Sequence, residues 1–180
     1  IVVYGHQPSA STQNMTGASA IVTALKNTHP EIPILMLGGH VAALPEQTLA
    51  DEQCDYVTRD EGLYGVVDLL EALKASRTPD VSKVRGLVYR KNGGYASNPA
   101  APLLRDVERE MPGIAWDLLP MTKYRAHNWH CFDDVSAREP YAALYTTLGC
   151  PYTCSFCCIQ APFKAGEKEA GLNEVSNSYR

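Results

Sequence analysis

"IPILMLGGHVAALPEQTLADEQCDYVTRDEGLYGVVDLLEALKA", residues 32–75, alternates between two kinds of apolar pattern. "IPILML" (32–37) and "CDYVT" (54–58) are short, apolar and bounded by turn residues, as strands buried on both faces are. "LPEQTLADEQ" follows the first, with Pro45 where proline opens a helix. "EGLYGVVDLLEALKA" follows the second, and Leu63, Val66, Val67, Leu70 and Leu73 make a helical stripe expected to face a sheet. Upstream, "IVVY" (1–4) reads as another strand. "TGASAIVTALKNTHP" reads as a helix, with Ala18, Ile21, Val22 and Leu25 at i, i+3, i+4 and i+7. Strands and helices alternating through such short crossovers predict a parallel, right-handed arrangement. The expected class is doubly wound α/β.

Three strands are few for a sheet whose usual complement is about five. The chain opens at Ile1 inside a strand-like run and closes on "NEVSNSYR", so an internal piece of a longer protein is expected, with processing of a precursor as the competing explanation. The net charge of −4 gives no electrostatic reason to expect nucleic acid or an anionic membrane. No apolar run approaches the roughly 20 residues that span a bilayer. No basic-then-apolar leader opens the chain, and a cytoplasmic location is expected. There, clustered cysteines serve as metal ligands or redox groups more often than as structural disulfides.

In open parallel sheets ligands bind beyond the carboxyl ends of the strands. Those ends carry "GHQPSAST", "GGHVAA" and "RDEG". Gly38 and Gly39 let a bulky ligand approach the backbone, and Ser9, Ser11 and Thr12 offer hydroxyls at the first strand end. The same residues are what ordinary turns carry. Residues 1–76 are thus read as one α/β domain and 77–140 as a connector. Within the connector "GLVYRKNGGYASN" alternates around an Asn-Gly turn and reads as a hairpin. "HNWHC" (127–131) lacks a second ligand pair at zinc-like spacing, which favours a loop over a metal site.

A third segment, 141–180, begins with the strand-like "YAALYTTLGC" and continues into "PYTCSFCC". Cys150, Cys154 and Cys157 have the spacing C-x3-C-x2-C, so three thiolates can converge on one small object. A complete iron–sulfur site takes four cysteine ligands, so three imply a distant fourth or one iron left open. A structural zinc site would need a fourth ligand and usually shows paired Cys-x2-Cys knuckles. Coincidental core cysteines fit poorly in a run bounded by Gly and Pro.

"LGCPYTCSFC" resembles the signature of the radical S-adenosylmethionine (radical SAM) superfamily, C-x3-C-x-Φ-C, with Phe156 at the aromatic position. The resemblance implies that Cys150, Cys154 and Cys157 bind three irons of a 4Fe–4S cluster, with Phe156 beside S-adenosylmethionine. The fourth iron would chelate S-adenosylmethionine, whose reductive cleavage gives a 5′-deoxyadenosyl radical. An electron donor such as flavodoxin or ferredoxin and a small-molecule substrate are implied as partners. The cysteine loop would follow the first strand of a partial (β/α) barrel.

The order of α/β domain, hairpin connector and cysteine loop is similar to that of cobalamin-binding radical SAM proteins. Their amino-terminal domain is Rossmann-like, and "ILMLGGHVAALPEQTLADEQCDYVTRDEG" resembles its fourth strand, Gly pair, helix and last strand. Many relatives read Gly-Glu where this chain has Asp60-Glu61. The resemblance implies cobalamin over Gly38 and Gly39, with Ser9, Ser11 and Thr12 near its tail and neither His6 nor His40 on cobalt. Radical methyl transfer to a weakly activated carbon or phosphorus is the expected reaction. The alternatives are a radical SAM oxidoreductase or rearrangement enzyme without cobalamin, and a non-catalytic α/β binding module with a structural metal loop.

Overall fold

In the computed structural model the described residues are 2–3, 11–76, 78–111, 113–125, 138–142, 144 and 148–149, with 2, 3 and 11–13 described by backbone alone. They fall into two compact units, one made of the described residues up to Leu103 together with Gly149 and one within Leu104–Leu148.

The first unit runs β1 (Val2–Val3), α1 (Ser11–Thr28), β2 (Leu35–Leu37), α2 (Gly39–Ala43), α3 (Pro45–Asp51), β3 (Tyr56–Thr58), α4 (Leu63–Ala75), β4 (Leu87–Lys91) and β5 (Gly94–Ser97). β1, β2 and β3 pair in parallel, with Val2 opposite Met36 and Met36 opposite Val57. The expected hairpin forms: Lys91 pairs with Gly94 across Asn92 and Gly93, both at positive φ, the backbone an Asn-Gly turn supplies. One expectation is corrected. The hairpin does more than connect, because β4 pairs antiparallel with β3 and makes the sheet mixed and five-stranded. A β3 left as an edge would expose a row of unpaired backbone groups, and β4 satisfies them.

Period-two alternation gives the sheet two faces. Ile34, Met36, Val57 and Val88 point to one, where Ala18 and Val22 of α1, Val41 of α2 and Leu49 of α3 cover them. Leu35, Leu37, Tyr56, Leu87 and Tyr89 point to the other, under Val66, Leu69, Ala72 and Leu73 of α4 with Val81 and Val84. Right-handed crossovers between adjacent parallel strands place their helices on one side, as α1 to α3 are placed.

Two predicted helix stripes are rotated from expectation. On α1 the packed line is Met15, Ala18 and Val22, while Ile21 is 54% exposed and Leu25 is also exposed. On α4 Val66 and Leu73 pack as expected, but Leu63, Val67 and Leu70 are exposed and Gly65 and Leu69 are buried instead. α4 is apolar around most of its circumference, so its periodicity underdetermines the face. Gly65 decides it: a Cβ there would stand 2.7 Å from the Arg85 carbonyl oxygen, so the helix approaches the start of β4 through its smallest residue.

Polar groups pin the amino edge of the sheet. Lys26 Nζ lies 2.8 Å from Asp55 Oδ2 and donates to the Ile32 carbonyl at 2.8 Å, while Asp55 Oδ2 accepts the Ile34 N–H at 2.6 Å. The Arg90 guanidinium, on β4, donates to the carbonyls of Cys54 (2.6 Å), Glu52 (3.0 Å) and Leu49. Two of those carbonyls belong to the end of α3, where unsatisfied acceptors and the helix dipole both favour a cation. Cys54 is buried in the core with Val57 and Val88, and burial pushes its thiol up to about 11.

The second unit carries a short helix, α5 (Val107–Glu110). Asp106 caps it by accepting the Arg109 N–H at 3.0 Å, and Glu110 accepts the Asp106 N–H at 3.3 Å. Two 3-10 turns follow, at Trp116–Leu118 and Met121–Lys123, and Arg125 bridges to Pro140.

Candidate functional site at the carboxyl edge of the sheet

β2 ends on Leu37, and Gly38 then takes φ 133°, a backbone that side-chain-bearing residues rarely adopt. Gly38 caps α2, accepting the Ala42 N–H at 2.8 Å, and Val41 and Ala42 anchor that helix in the core. Gly38, Gly39 and His40 are held half-exposed at the carboxyl edge. The two glycines have different reasons to be there. Gly38 is required by its backbone angle. Gly39 is the first residue of α2, and no unusual φ calls for glycine there.

β3 ends on Thr58, and the chain then turns through Asp60, which is 2% exposed. Its Oδ1 accepts the Gly62 N–H at 2.8 Å and its Oδ2 accepts the Ala101 N–H at 2.7 Å. Burial pushes this carboxyl up from its ordinary value, against the pull of the two donors and of Arg59 and Arg85. The fit is tight: at Gly86, φ 67°, a Cβ would fall 1.9 Å from Asp60 Oδ2. Gly62 lies between the two strand ends, where a Cβ would stand 3.1 Å from Thr58 Oγ1 and 3.5 Å from Leu37 Cβ. The buried Thr58 hydroxyl finds no hydrogen-bond partner among the described residues.

On the α4 face, Arg85 and Asp68 form a two-pronged ion pair, Nε to Oδ2 and Nη2 to Oδ1, each 2.7 Å, and Arg85 stacks 4.5 Å from the Tyr64 ring centre. The guanidinium holds the Asp68 carboxyl below its usual range. The open groove there, about 430 Å³, is lined by Asp68, Glu71, Asp80, Lys83 and Arg85 among others. Asp68 and Arg85 are already paired with each other, which leaves Glu71, Asp80 and Lys83 as the other charges of the groove.

Of the residues singled out in the sequence, Gly38 and Gly39 are together at this edge, and Ser11 and Thr12 are the first two residues of α1. Ser9, His6, Cys150, Cys154, Phe156, Cys157 and the "HNWHC" run lie outside the described residues. Among the described residues no group of three or more His, Cys, Asp or Glu is placed to hold a metal. No described helix is long and apolar enough to cross a membrane. Sequence reasoning missed Asp60 as a buried hub. Its local bond to the N–H two residues on is a readable turn signal, but its bond to Ala101 is not.

No family model matches the chain, and no solved structure gives a significant match. Curated proteins do. An uncharacterised methyltransferase of Pyrococcus horikoshii is 34% identical over 156 residues, 86% of this chain and 31% of that protein. The anaerobic magnesium-protoporphyrin IX monomethyl ester cyclase of Rubrivivax gelatinosus is 26% identical over 152 residues, 83% of this chain and 26% of its own length. The hopanoid C-3 methylase of Methylococcus capsulatus is 28% identical over 152 residues, 82% of this chain and 26% of its own. The chain spans about a quarter to a third of the length of these relatives. Over most of its own length it is related to proteins named as a methyltransferase, a methylase and a cyclase.

Proposed function

We propose that the chain is a segment of a cobalamin-dependent radical SAM enzyme that transfers a methyl group to a weakly activated carbon or phosphorus. The α/β unit is the seat of the corrinoid, and the cysteine loop opens the catalytic barrel. The observation that carries this reading is the half-exposed Gly39, the first residue of α2 at the carboxyl edge, where no unusual backbone angle calls for glycine. Such a position makes sense where a large ligand must come close to the main chain.

Two further facts support it. A match over 86% of 180 residues necessarily takes in β2 to β5 and reaches Cys150, so most of the sheet and the start of the cysteine run fall in one related stretch. Methyl transfer is the chemistry named in two of the three relatives described. The donor set fits as well: three thiolates at C-x3-C-x2-C leave one iron of a cubane open. In this reading Cys150, Cys154 and Cys157 hold the cluster, Phe156 borders S-adenosylmethionine, and Gly38 and Gly39 admit the corrinoid, with Ser9, Ser11 and Thr12 near its tail. When bound, the cluster would supply the reducing electron and the corrinoid the methyl group. The chain's own task is positioning, keeping the strand ends open where the corrinoid enters.

The cyclase among the relatives favours a second reading, radical SAM chemistry with an outcome other than methylation. Anaerobic purification of the full-length protein tests both. Iron and sulfide at cluster stoichiometry with bound corrinoid support methyl transfer, iron and sulfide alone support the second reading, and the absence of all three overturns both.

A further inference from the structure

The chain leaving β5 does not run off into solvent. Residues 98–103 form a strap fixed by hydrogen bonds at Asn98, Pro99 and Ala101. The Asn98 N–H donates to the Leu87 carbonyl at 2.9 Å, and its side-chain amide donates to the carbonyls of Val81 and Val84, each at 2.7 Å. The Gly86 N–H donates to the Pro99 carbonyl at 2.7 Å, and the Ala101 N–H reaches Asp60. Ala100, Ala101 and Leu103 are buried.

The register shows where the strap lies. Thr58, the last residue of β3, pairs with Leu87 at the start of β4, and Val88 pairs with Ser97 at the end of β5. The strap therefore travels along the carboxyl edge, from β5 past Gly86 to the end of β3. There Asp60 holds both the strap, through Ala101, and the β3–α4 turn, through Gly62. Gly62 in turn abuts Leu37 at the end of β2. The edge is sealed over β3 and half-open over β2, at Gly38, Gly39 and His40.

We infer that Asp60 is a positioning residue for the carboxyl-edge ligand site, latching the strap Asn98–Leu103 as the wall that bounds the opening over β2. The inference rests on the corrinoid reading above and adds what shapes its seat. With the latch intact the wall is ordered before a ligand arrives. With it broken, ordering the wall is charged to binding.

Titration of the full-length protein with hydroxocobalamin, followed in the visible spectrum, tests this at a temperature where circular dichroism shows every variant folded. Asp60→Asn keeps one acceptor oxygen and turns the other into an amide donor, so it cannot accept from both Gly62 and Ala101, and Ala101→Pro removes the Ala101 N–H while leaving Asp60 in place. Each should weaken hydroxocobalamin binding about tenfold, equivalent to about 1.4 kcal/mol, and the double variant should be little worse than either. Arg90→Lys serves as the control, because it loosens the amino edge and a purely global loss of stability would act through it equally. Wild-type affinity in Asp60→Asn and Ala101→Pro, or equal weakening in Arg90→Lys, overturns the inference. No binding by the wild type overturns the corrinoid reading, and the inference with it. If Asp60→Asn does not fold, Ala101→Pro decides alone, and if neither folds, Asp60 is a general structural residue and the inference fails.

Discussion

Arg90 is the residue whose replacement speaks most directly to how this sheet is assembled. One guanidinium on β4 closes three carbonyls around the end of α3 and the approach to β3. Arg90→Lys keeps the charge and the aliphatic stem, but a single ammonium on a flexible stem cannot match the planar fork. Taking one bond as retained and two as lost, at about 0.5–1 kcal/mol each for an exposed donor, the cost is about 1–2 kcal/mol. For a unit of this size each 1 kcal/mol moves Tm by about 4–8 °C, so a fall of about 4–16 °C is expected. Urea unfolding followed by circular dichroism measures the free energy. Alkylation of Cys54, followed by mass spectrometry, gives a local readout: its thiol is buried and raised to about 11, so it reacts when the loop opens. A local destabilisation of 1–2 kcal/mol should speed that alkylation about 5–30-fold. A loss below about 0.5 kcal/mol with unchanged Cys54 labelling would show that the three bonds do not hold this corner, and the reasoning would be wrong.

Cys154→Ala should lose the brown iron–sulfur chromophore while Cys158→Ala and Cys54→Ala keep it; equal loss of iron in all three would sink the ligand assignment. Gly86→Ala should cost about 3–5 kcal/mol in urea unfolding, since it forces a Cβ into the Asp60 carboxylate at a left-handed φ; a cost under about 1 kcal/mol would refute the close approach. Asp68 is lowered by Arg85, so its stabilisation is present above the unfolded carboxylate value of about 3.9 and is lost as pH falls through its lower folded value. Asp68→Asn should therefore be about 0.5–1 kcal/mol less stable than wild type at pH 7 and converge with it in strong acid. Parallel stability curves across that range would contradict the pairing.

Much of the fold was legible because the relevant signals are local. Alternating strand and helix patterns marked β2, β3 and α4, and Asn92-Gly93 marked the hairpin turn. The helix faces were legible only in part: on α1 Ala18 and Val22 pack as expected while Ile21 and Leu25 are exposed, and on α4 the face is set by Gly65, which adds nothing to a hydrophobic stripe. Nor was the hairpin's partner, since a strand pattern states that a segment pairs and not with what. The cysteine motif lies outside the described residues, and its reading rests on spacing together with the resemblance. Asp60 was noticed as a departure from a family pattern, but a charged residue in a turn reads as solvated. Its burial depends on Ala101, 41 positions further on, and on the missing side chain of Gly86.

The sheet's spatial order, β1-β2-β3-β4-β5, is also its order along the chain. Each strand finds its neighbour already made when it emerges, and no later segment has to insert between earlier ones. During synthesis the unit can therefore grow from one side as residues leave the ribosome, with the antiparallel hairpin added last across a tight turn. Pairings between chain neighbours keep loop-closure entropy low and folding fast. The strap closes by the same logic, because its anchor Asp60 has been made before Ala101 arrives.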